Sequence, residues 1–215
     1  MNRNHFARII RLVLFCTLGA GANFLLNTLC FRVLKIPLFL DTAFTAAVSF
    51  AAGPVPGIVT ALLTYAAIGA RDGVLTPFIL CSIAEVLLIC RMSPARPFRW
   101  RLRDTQAEPQ PLASVTVSVF AKLILLYVAV AFMVSVMGGV IDYLYHNMWL
   151  MDKPYFSSED TFKINLLQRG IPLLLVNILA RIPINIVDRF IVIFGGYFVF
   201  RGIERLSGNI NTRTK

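Results

Sequence analysis

Apolar residues run through this chain in long blocks, not in alternation or in one narrow stripe: 9–34, 38–52, 55–70, 74–90, 112–140 and 166–200, with short polar or Gly/Pro-bearing joints between them. A helix of about 20 such residues crosses a ~30 Å hydrocarbon core, and a spanning helix satisfies its own backbone. The pattern predicts an all-α fold: a polytopic membrane helix bundle of about six transmembrane helices, forming one domain over residues 1–215. The second and third blocks are short. Their joint, Gly53-Pro54-Val55-Pro56-Gly57, reads as a five-residue breaker with no room for a polar loop. The last block, 35 residues, would be about 52 Å long as one helix, too long for one span. Pro183 has no amide hydrogen and crowds the preceding turn, so a break is predicted near 181–185. That leaves a last span over 184–203 and a separate helix over 162–182, packed on the outer end.

Composition agrees with this reading. The chain is 57% hydrophobic and 15% charged, against about 25% charged in soluble domains. No stretch is long enough for a soluble catalytic domain, so function is expected inside the bundle. With six spans both termini share a side, which with the basic loop 91–111 carries twelve cations. The opposite side, including the extracytoplasmic segment 141–182, carries six. The excess of Arg and Lys predicts a multi-pass protein of the cell (cytoplasmic) membrane with both termini cytoplasmic. The net charge of +10 and the run RMSPARPFRWRLR at 91–103 are read as topological, touching anionic lipid with Trp100 at the interface, and not as a nucleic-acid surface. The first 27 residues imitate a secretory signal, but hydrophobicity resumes at Phe24, which suits an uncleaved first span.

Chemistry narrows further. Cys16, Cys30, Cys81 and Cys90 lie in or beside apolar runs without a CxxC or a neighbouring His, and His5 and His146 lie outside the spans. No metal, cofactor or disulfide framework is expected. Nucleophile, zinc and phosphate-loop motifs are missing from the sequence, so no enzyme is predicted. What stands out is Asn177, Arg181, Asn185, Asp188 and Arg189 inside the last apolar block. An Arg or Asp at the centre of a span costs about 2.5–3.5 kcal/mol, so such groups need a partner, water or a ligand. At 100° per residue Asn177, Arg181, Asn185 and Asp188 fall within an ~80° arc. Either they contact a ligand or Arg181 and Asp188 pair with each other. Glu85 and Lys122 come to similar depths on antiparallel helices and form a second candidate pair. Asp41 precedes an apolar run and reads as an N-cap for helix 2, or as a ligand contact beneath the loop after helix 1. Ala43, Ala47 and Ala51 give helix 2 a small-residue face, suited to packing inside the chain or to docking a membrane partner. Helix 1 (Cys16, Thr17, Ala20, Gly21) and Gly195-Gly196 offer weaker versions.

Three features together resemble the substrate-binding subunits, or S components, of energy-coupling-factor vitamin transporters. They are the six spans, the run DTAFTAAVSFAAGPVPG at 41–57, and RIPINIVDRFI at 181–191. The resemblance implies a bundle that captures a vitamin-like small molecule from outside. A separate membrane coupling subunit and two ATPase subunits would supply the energy. It also implies Asp41, Asn177, Arg181, Asn185 and Asp188 as substrate contacts and the Ala43, Ala47 and Ala51 face as the partner-docking surface. The alternatives are a ligand-sensing membrane receptor module that signals through a partner, and an assembly factor whose polar groups only hold helices together.

Overall fold

The computed structural model describes residues 3–36, 38–94, 117–148 and 158–213. Every regular element among them is helical. Most of the predicted basic loop, the start of the fifth block at 112–116, and residues 149–157 lie outside the described residues. Helix α1 (Arg3–Thr28) ends in a π-helical turn, Leu29–Val33, and is followed by α2 (Ala43–Ala52), α3 (Pro54–Asp72) and α4 (Ile79–Met92). Helix α5 (Val117–Asp142) also closes in a π turn, Tyr143–Met148, before α6 (Ser158–Gln168). Helix α7 (Leu173–Phe190) passes through a π turn, Ile191–Gly195, into α8 (Gly196–Arg213). Two stretches, Ile9–Val33 and Val117–Tyr145, are long and apolar enough to cross a membrane by length and composition.

Contacts along the helices fix their directions. Cys16 meets the carbonyl of Pro56 near the start of α3, and Thr28 meets Arg71 at its end, so α1 and α3 run the same way. Thr42 lies by Glu85 and Ser49 by Cys90, so α2 and α4 are parallel. Leu40 bonds Asp188 and Phe50 packs on Tyr197 and Phe200, which makes α7–α8 parallel to α2 as well. Along α5, Ser135 meets Asn185 and Phe120 meets Phe194, so α5 opposes α7–α8. The core forms where α2, α4, α5 and α8 meet, around Phe50, Ile89, Leu126, Val130, Ile193 and Phe200.

Glycine sets several of these approaches. A Cβ on Gly139 would stand 2.6 Å from the Cα of Ile178, so α5 and α7 touch backbone to backbone there. A Cβ on Gly57 would stand 2.2 Å from the Ser49 hydroxyl, and one on Gly196 would meet Ala46 and the backbone of Ala43 and Ala47. The last contact corrects the docking prediction. Ala47 and Ala51 are buried and Ala43 is half-buried, so this stripe is packed inside the chain, with Gly196 of α8 against Ala46 and the backbone of Ala43 and Ala47.

Two breaks also differ from prediction. The Gly53–Gly57 joint is a one-residue corner: Gly53 takes φ +89°, and Pro54 and Pro56 lie in the first turn of α3, where no helical partner for their missing amide is needed. Pro183 does not break its helix. Helix α7 runs through it, because one proline removes a single rung while the turns on both sides are held against α5. The chain turns instead at 169–172, where Gly170 adopts φ +79° and Pro172 opens α7.

Candidate functional site: a buried charge cluster at the head of α2

Between the π turn of α1 and the start of α2, residues 38–42 have no helical ladder, and Leu40, Asp41 and Thr42 are buried. Irregular backbone in such a place needs side-chain partners, since an unmet buried amide costs about 1–3 kcal/mol. Asn27 of α1 donates to the carbonyl of Phe39 at 3.0 Å, and Asp188 of α7 accepts from the amide of Leu40 at 3.0 Å. Leu40 itself holds φ +36°, a left-handed conformation that disfavours a branched side chain. The two polar bonds fix that conformation from opposite sides.

Arg189 organises what lies beneath. Its Nη1 donates to the Thr42 hydroxyl at 2.8 Å and to the carboxylate of Glu85 from α4, and its Nη2 donates to Asp188. Thr42 in turn lies 3.5 Å from Glu85. Asp41 lies between Leu40 and Thr42, which bond Asp188 and Arg189, and is buried beside the same charges. Arg189, Glu85, Asp188 and Asp41 are all at least nine-tenths buried. Burying ions costs several kcal/mol each, and only close pairing with satisfied hydrogen bonds offsets it. The Nε of Arg189 has no partner among the described residues.

The sequence-predicted residues divide into separate places. Asp41 and Asp188 meet in this cluster. Asn185 donates to Ser135 of α5 at 3.0 Å, and Asn177 bonds back to the carbonyl of Leu173 in its own helix. Arg181 stands over the Phe78 ring at 4.6 Å and 3.6 Å from Asp142, which also pairs with Lys163 of α6. Asn177, Asn185 and Asp188 are buried on the inward face of α7, as the arc predicts. Unbroken, that face spreads eleven residues over about 16 Å, so its polar groups do not converge.

Three expectations are therefore corrected. Arg181 and Asp188 do not pair, because each finds a nearer partner on another element or beside it. Glu85 pairs with Arg189, whereas Lys122 lies on the exposed side of α5. Asp41 is not the cap of α2: Thr42 occupies that position, with no side-chain capping bond, its hydroxyl being engaged by Arg189. Sequence reasoning left Arg189, Thr42, Asp142 and Lys163 out of the site. For Arg189 the signal was present, since a guanidinium in an apolar helix must face inward to a carboxylate.

Outside the buried cluster, Arg71 at the end of α3 donates to Asn27 and Thr28 and pairs with Asp72, which also takes Arg32. Hydrogen bonding from Arg71, with a smaller contribution from Arg32, holds the Asp72 carboxyl below its ordinary range. An open apolar cleft of ≈ 470 Å³ lies beside this end of α3, lined by Ala66, Gly69, Ala70, Gly73, Val74 and Leu75, and includes none of the predicted site residues. No family model, no curated protein and no solved structure matches this chain.

Proposed function

We propose that the chain is the substrate-capture subunit of an energy-coupling-factor-type uptake transporter for a vitamin-like small molecule, energised by separate ATPase subunits. The observation that carries this reading is the convergence of Asp41, Glu85, Asp188 and Arg189, from the head of α2, α4 and α7, beneath an irregular segment pinned by side chains. In hydrocarbon, irregular backbone and charge persist together where protein covers them or where they line a path for solute.

In this reading the bundle spans the cell membrane six times with both termini cytoplasmic. The alternating helix directions and the many exposed large apolar side chains, such as Leu18 and Leu25 on α1 and Val128 and Phe132 on α5, support it. Helices α2 and α4 are about 15 and 21 Å long and complete their spans with the non-helical segments that precede them. The coupling subunit meets a face other than the inward-packed Ala43, Ala47 and Ala51.

Purification in nanodiscs followed by native mass spectrometry tests the proposal. The expected result is a bound small molecule and a copurifying ATPase. If neither appears, the capture function fails. A kinase or regulator crosslinked in place of the ATPase transfers the site to a sensor. Reporter fusions to both termini test the topology: an extracytoplasmic signal from one terminus alone removes the six-span arrangement, and from both it reverses the orientation.

A further inference from the structure

Within the cluster, Glu85 and Asp188 pair with the guanidinium of Arg189, and a third buried carboxyl, Asp41, lies close by between Leu40 and Thr42, which bond Asp188 and Arg189. Full ionisation leaves two negative charges without a cation in a place shielded from water, where charge is costly. A second, independent observation points the other way. The Nε–H of Arg189, a side chain only 4% exposed, has no acceptor among the described residues, although carboxylates engage both of its terminal nitrogens. With its carboxyls ionised the cluster is short of a positive group, and the guanidinium is short of a hydrogen-bond acceptor. One small molecule can supply both.

We infer that this site takes a small organic solute bearing a protonated nitrogen beside a hydrogen-bond-accepting oxygen. The inference rests on the capture reading above and names its substrate class. The nitrogen is held among Asp41 and Glu85, and the oxygen accepts from Arg189. Asp188, bonded directly to the neighbouring Arg189, stays as the fixed partner of the guanidinium. Access is through residues 38–42, whose bonds to Asn27 and Asp188 must part for the solute to enter.

The test uses the full chain in nanodiscs and follows its thermal unfolding with three probes of similar size: ethanolamine, glycolate and ethylene glycol. Ethanolamine is expected to raise the midpoint by roughly 5–10 °C at about a hundredfold excess over its Kd, and the other two to leave it unchanged. Glu85→Gln and Asp41→Asn are expected to abolish the shift, and Glu85→Asp to restore part of it. The selectivity of the unsubstituted protein decides the matter even if a variant fails to fold. A shift with glycolate or ethylene glycol but not ethanolamine overturns the substrate class and leaves capture standing. No shift with any probe, together with no small molecule released from the purified protein, overturns both.

Discussion

Two adjacent Asp/Arg pairs flank the same segment of this chain. Arg71 and Asp72 close α3, Asp188 and Arg189 lie inside α7, and in each the neighbours are ion-paired. Each network also holds one side of residues 38–42, the first through Asn27 and the second through Asp188 and Thr42. They differ in surroundings. Asp72 is about one-third exposed and its second partner, Arg32, more than half, whereas Asp188, Glu85 and Arg189 are sealed. Identical chemistry is thus adjustable in one place and obligatory in the other, since solvent can replace a lost partner only in the first.

That contrast orders the expected effects of substitution. Arg189→Leu leaves Glu85 and Asp188 without their buried cation and is expected to cost about 3–5 kcal/mol in chemical denaturation of the protein in detergent. Asn23 offers a neutral counterpart: buried, it donates to Thr45 and Thr64 and accepts from the amide of Phe44 at 2.8 Å. Asn23→Leu, by the same measurement, should cost roughly 1–3 kcal/mol through the unmet amide. Arg71→Ala removes bonds to Asn27 and Thr28 and the contact with the Phe24 ring, for about 1 kcal/mol. Should it match Arg189→Leu, burial is not what separates the two networks.

The smallest effects belong to the exposed edge. Arg32→Ala should cost about 0.2–1 kcal/mol and lose that effect at high salt. Asp72 gives a pH signature of definite sign. Its folded-state pKa is depressed by Arg71 and then Arg32, so its contribution is complete above the unfolded value, about 3.9, and is lost as pH falls through the lower folded value. Comparing Asp72→Asn with the unsubstituted protein across an acid titration isolates that contribution. The two should differ near neutrality and converge in acid.

The helical class and the ends of α2, α3 and α4 were legible because long apolar blocks and Gly/Pro joints are local signals, whereas α2 and α4 begin at Ala43 and Ile79, later than the blocks at 38 and 74. Gly53-Pro54 and Gly73 stand where α3 begins and ends. Pro183 misled for the opposite reason. Its cost is local, but the compensation comes from α5, where Gly138 leaves room for Arg181 and Gly139 for Ile178. The true turn at Gly170 to Pro172 was hidden by the apolar residues on both sides. For the site, the arc on α7 identified the inward face but not which residue meets which. Asp188 finds a backbone amide 148 positions earlier and Arg189 a carboxylate 104 positions earlier, and no local pattern encodes such pairings. Arg189 lies 100° from Asp188 and escaped an argument based on one shared face, although its charge required a partner as surely as Asp188 did.

The π turn at Ile191–Gly195 follows directly on this cluster and inserts a wider turn between α7 and α8. One extra residue in a turn advances the helical phase by about 100°. The polar face of α7 and the Tyr197/Phe200 face of α8 consequently belong to two different readings of one periodicity. A segment of the same length wound as one α-helix would turn the Tyr197/Phe200 face about 100° away from Phe50.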